Sequence, residues 1–235
     1  MVMNDTLADN VANISTPGYK QSGLQFQAFG ETLIQSMGAG GAQELGTIAQ
    51  GSQVSGSRIN FTQGDLLQTG NPLDLAIKGN GFFTLKMPDG SVGYTRAGNF
   101  TRDAKGYLST ENGARVQGTK GDIVIPASTQ KIEITSSGDV RLDNNTVGKL
   151  QIAQFQNMQD LQKMSASVFT TTDAPLPTTT NETVVQGFLE HSNANAVKEM
   201  VNSITGLRAY ETLQKSIQMQ NDTLDKAINQ VGSVQ

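Results

Sequence analysis

His191 is the single histidine of a chain that contains no cysteine, so the residues able to do chemistry are few. The missing thiols exclude disulfides, thiolate metal sites and a cysteine nucleophile. A Ser-His-Asp arrangement would need His191 as its base, held by a carboxylate. His191 lies beside Glu190 and Ser192 at the predicted start of a long helix, with no strand-to-helix nucleophile elbow. It reads as a hydrated or capping histidine. Gly79-Asn80-Gly81 lacks the third glycine of a dinucleotide fingerprint, and Phe82-Phe83 continues it as a strand, so a tight turn is expected. Asp139, Asp143, Asn144 and Asn145 invite a calcium reading. Their spacing does not match the EF-hand loop and no Glu closes it, so turn chemistry explains them. Arg96, Arg102, Lys105 and Arg115 put positive charge in one strand-turn region without interleaved exposed aromatics, which describes a solvated face better than a nucleic-acid surface. No enzyme, cofactor or metal site emerges.

Composition narrows the classes further. Seventeen basic against 21 acidic residues give a net charge of −4, which argues against a general electrostatic binder of nucleic acid. Charged residues make up 16% of the chain, against about 25% in an ordinary soluble domain. Asn, Gln, Ser and Thr account for 80 of the 235 residues. Such a polar, weakly charged surface suits a protein that packs against many copies of itself. No stretch approaches the roughly 18 apolar residues of a membrane span. The start, Met1-Val2-Met3-Asn4-Asp5, lacks the basic and apolar regions of a secretory signal. Composition alone leaves the compartment open.

Periodicity then places the elements. Met3, Leu7, Val11 and Ile14 recur at helical spacing, and Thr16-Pro17-Gly18 ends the helix they predict. Such a short helix is marginal in water and needs a partner. Ala196 to Val231 contains no Pro and one internal Gly, Gly206. Val197, Met200, Val201, Ile204, Leu207 and Tyr210 form an apolar stripe that Leu213, Ile217, Leu224, Ile228 and Val231 continue. Ser192, Asn193 and Asn195 offer N-caps, and Gly232 a C′ residue. About 36 residues would make a rod of roughly 54 Å, too long for a domain of this size to bury. Polar Gln214, Gln218, Gln220 and Asn221 favour mixed, multi-partner packing over a self-contained coiled coil. Residues 38–56 hold six glycines and read as an irregular connector or loose extended arm. From about 64 to 189, short β-runs alternate with turn signals. The expected fold is α+β, an all-β central domain inserted between terminal helices that pair as a coiled-coil-like core.

Three stretches carry a family resemblance when read together. Asp9 to Lys20 resembles the "NN-x-AN-x-x-T-x-G-Y/F-K" signature of bacterial flagellar rod and hook proteins. Asn10, Ala12, Asn13, Thr16, Gly18, Tyr19 and Lys20 match it, and Asp9 departs from its first Asn. Gly64 to Phe83, continued by Tyr94-Thr95-Arg96-Ala97-Gly98-Asn99-Phe100, resembles the family's central motif. Gln186 to Asn193, Glu199-Met200-Val201 and Arg208-Ala209-Tyr210-Glu211 resemble its C-terminal signature. The resemblance implies an axial structural subunit, secreted by the flagellar export apparatus, that polymerises helically with itself and with neighbouring rod and hook proteins in the basal body. It implies a torque-transmitting shaft, no catalysis, and paired terminal helices inside an outer β-domain. On that basis residues 1–33 with 190–235 are expected to form the helical polymerisation core, 34–63 the glycine-rich arm, and 64–189 the outer domain. Subunit packing falls to Leu7, Val11, Ile14, Met200, Ile204, Leu207, Tyr210, Ile217, Leu224 and Ile228. Length argues for a rod subunit, most like those of the distal rod, with a proximal-rod or hook-junction subunit as the alternative. The family carries another dozen or more residues before the Asn-rich motif, so the start at Met1 reads as truncated or internally initiated.

Two other classes make different demands. An adhesin with helical ends predicts a pocket or an exposed aromatic patch, from 9 Phe and 4 Tyr. A glycan hydrolase requires two carboxylates facing a cleft roughly 5–10 Å apart.

Overall fold

The computed structural model describes residues 2–28, 31–38, 41–49, 52–171, 173–176 and 182–232. An N-terminal helix, a large β-rich middle and a C-terminal helix make an α+β chain. It divides into two compact units, one of residues 1–12 with 194–235 and one of residues 13–193.

The helical unit holds α1 (Val2–Ala12) and α2 (Ala196–Gly232). Asn195 caps α2: its Oδ1 accepts from Lys198 N–H at 3.0 Å and its carbonyl from Glu199 N–H at 2.9 Å. That contact occupies one of the donors a helix start leaves unpaired. Thr205, Thr212 and Thr223 are tolerated inside α2 because each hydroxyl donates to the carbonyl four residues back. Gly206 meets α1, where any side chain would overlap the end of Met3. Ile14 departs from expectation. α1 stops at Ala12, and Ile14 sits in the turn that Thr16 N–H closes onto Asn13 O at 3.1 Å.

The β unit starts with two antiparallel ribbons. β1 (Ser22–Ala28) pairs β4 (Ser52–Ile59), and β2 (Glu31–Gly38) pairs β3 (Gly41–Ala49). The stretch that its glycines mark as an irregular connector or extended arm is extended, but it is paired. Residues 39–40 and 50–51 of that stretch lie outside the described residues. β5 (Leu66–Gln68) pairs the late strand Phe188–Glu190, and β6 (Leu75–Lys78) pairs Thr183–Gln186. The chain thus closes by bringing its last strands back to its middle.

The main sheet is built on β7 (Phe82–Lys86) and β8 (Val92–Thr95), joined by a turn in which Gly90 N–H donates to Met87 O. Asp89 Oδ1 accepts from Ser91 N–H at 2.8 Å and fixes that turn. β7 is buried on both faces, so alternation sends neighbouring side chains into different cores. Phe83 and Leu85 enter an aliphatic core with Leu75, Ile77, Val116 and Val140. Phe82 enters an aromatic one, with Phe61 at 5.7 Å and Phe169 at 6.0 Å between ring centroids, all edge to face. A smaller three-stranded meander runs through Ile132–Ile134, Asp139–Leu142 and Asn145–Lys149.

Phe61 is part of that aromatic core although it lies before residue 64. A fragment of residues 13–193 is expected to melt in one cooperative transition. A fragment of 64–189 lacks Phe61 and with it about 3–5 kcal/mol of core packing, so it should melt well below the longer one. Equal melting temperatures by circular dichroism would put the boundary of the β domain at residue 64.

Candidate functional site

The chain enters the β unit through residues 13–21 and leaves it through 190–193, and these segments meet. Gly18 makes the approach possible. Its φ of +67° suits glycine, and a Cβ there would overlap the backbone of Arg96 and Ala97. The turn lets Gly18 N–H donate to Glu190 O at 2.7 Å and delivers Tyr19 and Lys20, both fully buried, to the interior.

Lys20 Nζ lies 2.5 Å from Glu190 Oε1 and also donates to Thr62 O at 2.7 Å. Glu190 Oε2 faces Arg96 Nη1 at 3.2 Å. Arg96 Nη2 donates to Gly79 O at 2.6 Å, and its guanidinium stands 4.9 Å over the Phe82 ring. Gly64 N–H gives Glu190 Oε1 a further bond at 3.0 Å. A side chain at Gly64 would overlap the carbonyl of His191. All three charged side chains are at most 2% exposed. Burial holds the Lys20 ammonium below the ordinary lysine value, more strongly than Glu190 raises it, and Arg96 lowers it further. Burial depresses Arg96 in the same way, against Glu190 and Glu182. Burial thus opposes the charge on both cations, while the contacts tie residues 20, 96 and 190 to one geometry.

Asn193 finishes the junction. Its Nδ2 donates to Asn60 O at 2.7 Å and Thr62 O at 2.9 Å, while its Oδ1 accepts from Gln21 N–H at 2.7 Å. Lys163 packs 4.4 Å over the Tyr19 ring and donates to its hydroxyl at 3.3 Å. Each of these groups holds backbone or another side chain.

The other residues singled out by sequence are scattered. His191 is exposed, and its N–H donates to Asp65 O. Asp143 accepts from the N–H groups of Gln130 and Lys131, and Asp139 from the Ser137 hydroxyl, so these carboxylates fasten turns. Among the described residues no cluster of three or more His, Cys, Asp or Glu is placed to hold a metal. Arg96, expected on a solvated face, is instead buried; Arg102 and Lys105 are exposed, and Arg115 stacks on Tyr107 and pairs with Asp122 at 3.1 Å. A groove of about 730 Å³ between Gln21–Gln25, Arg58–Thr62 and Met158–Gln159 has Arg58 as its charged group and no carboxylate in its lining.

Of the signature residues, Gly18, Tyr19 and Lys20 are thus brought to Glu190 and Asn193. Thr16 donates its hydroxyl to Asn13 Oδ1. Asn10 is buried and Ala12 exposed in α1, while Arg208, Ala209, Tyr210 and Glu211 are exposed on α2. Sequence reasoning missed the roles of Arg96 and Glu190. The available signal was Glu190 itself, a lone acid directly after Phe188-Leu189.

Three stretches of the chain match models of known protein families. Residues 5–20 match the model of a flagella basal body rod protein. Residues 76–142 match the flagellar hook protein FlgE/F/G D1 domain, and 185–230 the flagellar basal body rod FlgEFG protein C-terminal region. The chain is 37% identical to the flagellar basal-body rod protein FlgG of Agrobacterium fabrum, covering 91% of this chain and 87% of that one. It is 35% identical to FlgG of Buchnera aphidicola from Acyrthosiphon pisum, over 94% and 90%. It is 30% identical to the rod protein FlgF of Mesorhizobium japonicum, over 97% and 91%.

The triad predicts an asymmetry in stability. Glu190→Gln leaves two buried cations facing each other and should cost about 3–5 kcal/mol. Lys20→Met removes a desolvated charge and leaves Glu190 with Arg96, so it should cost distinctly less. Urea melts of the two variants check this, and a costlier Lys20→Met would refute it.

Proposed function

The chain belongs to the flagellar basal-body rod protein family, and from that premise we propose that it is a distal-rod subunit whose terminal helices polymerise as the core of the axial shaft. It is a structural rod protein of the flagellar basal body, in a family that is not enzymatic. One observation supports the polymerisation reading above others. The apolar stripe of α2 is open to solvent along its length: Met200, Ile204, Leu207, Tyr210, Ile217, Leu224 and Ile228 are each 47–67% exposed. A monomer rarely leaves so long an apolar surface uncovered. Burying each large side chain contributes about 1.5–3 kcal/mol, gained in full when subunits pack. Head-to-tail contacts that do not close generate helical filaments.

In this reading Leu7, Val11 and Ile14 join the α2 stripe in contacts between subunits, and the β unit forms the outer layer. Neighbouring rod and hook proteins meet the ends of the stack, and the flagellar export apparatus delivers the chain. Torque then passes through many packed contacts and needs no reactive group. The mixed polar positions Gln214, Gln218 and Gln220 suit a helix that meets several neighbours instead of one.

Ile217 and Leu224 share a face seven residues apart. Replacing both with Asp in the full-length protein places carboxylates in the subunit contact, at several kcal/mol in the polymer. The β unit should keep its melting transition, while cells fail to build rods and do not swim. Normal rods and normal swimming with Ile217→Asp and Leu224→Asp together would remove α2 from the assembly mechanism.

A further inference from the structure

Two covalent links join the helical unit to the β unit, at 12–13 and at 193–194. Any force that reaches the β unit along the chain from α1 or α2 passes through them. Just inside, the two segments run the same way. Gly18 N–H donates to Glu190 O, Asn193 N–H to Tyr19 O at 3.4 Å, and Gln21 N–H to Asn193 Oδ1. Partner numbers rise together, as they do between parallel segments. The run between them gives the same answer. Ser22 pairs Ile59 antiparallel and Asn60 N–H donates to Gln21 O, while Glu190 pairs Leu66 antiparallel and His191 N–H donates to Asp65 O. Two segments each antiparallel to a third are parallel to one another.

Parallel crossings respond to tension in a particular way. Drawing the two links apart pulls the extended residues 19–21, which follow the turns at 13–18, towards their N-terminal end and 190–193 towards their C-terminal end. The segments slide in opposite directions along a common axis, so their bonds are strained together rather than peeled one at a time. The groups at this place suit that loading. Glu190 is held by Lys20, Arg96 and Gly64 N–H, and Asn193 grips Asn60 and Thr62 on the run between.

We propose that the two parallel crossings are a mechanical shear clamp, in which the Lys20–Glu190–Arg96 triad and the Asn193 amide resist force entering from the terminal helices. The proposal rests on the rod reading for the source of that force. Its test is made on the isolated chain, so a failed clamp leaves the rod reading standing, and rods that do not form leave the clamp standing.

Because the chain has no cysteine, handles can be attached uniquely. In the full chain, Asp5→Cys with Asp222→Cys loads the clamp, and Glu111→Cys with Lys131→Cys pulls across the β unit along a second axis. Forced unfolding reports the unfolding rate, so lifetime at constant force is the readout. Glu190→Gln is expected to shorten the lifetime on the helix axis on the order of 100-fold, as loss of a buried ionic partner does when its rupture limits unfolding. The second axis should not change. Asn193→Ala removes neutral bonds alone, should shorten the helix-axis lifetime roughly tenfold, and carries the test if Glu190→Gln does not fold. Unchanged lifetimes on the helix axis, or equal shortening on both axes, would overturn the clamp.

Discussion

Glu190 is a carboxylate with no access to water, and much of the β unit is arranged around that fact. An ion in a low-dielectric interior must be surrounded by opposite charge and donors, or it destabilises everything near it. Lys20 arrives from the start of the unit, Arg96 from just past β8 and the Gly64 N–H from the middle of the chain. Glu182, whose charge also acts on Arg96, brings the local balance to two acids and two bases. Moving any one of these segments strands a charge. The triad therefore ties distant segments to one arrangement, against the cost of dehydrating its charges.

The sheet gives those charges a rigid frame. With Phe82 facing one core and Phe83 the other, β7 cannot slip by one residue without exchanging the two environments. The register of β7 fixes the Gly79–Gly81 turn before it, and that turn supplies the carbonyl that Arg96 holds. Apolar packing thus sets the backbone, and the backbone in turn sets where the ions can be satisfied.

Much of the architecture was legible in the sequence, for identifiable reasons. The α2 stripe spans ten turns with its cap at Asn195, so periodicity identified the helix clearly. β7 and its turn at Asp89-Gly90 carried both strand and turn signals. Residues 38–56 were harder, because their many glycines and few large side chains look like a connector, while the described parts of that stretch pair as antiparallel strands. Ile14 continued an apolar spacing past the point where the backbone had already turned. The ionic site was the least legible part. Lys20, Arg96 and Glu190 are far apart in the chain, and charge by itself argues for the surface. The motifs that include these residues marked their positions without giving their purpose.

Lys20 and Glu190 are 170 residues apart, and this separation has a consequence in time. A chain delivered N-terminus first, from a ribosome or from a narrow pore, presents Lys20 early and Glu190 only when the β unit is almost completely out. Loop closure over such a distance comes late, after local hairpins have formed. Until then the contact between Lys20 and Glu190 cannot be made.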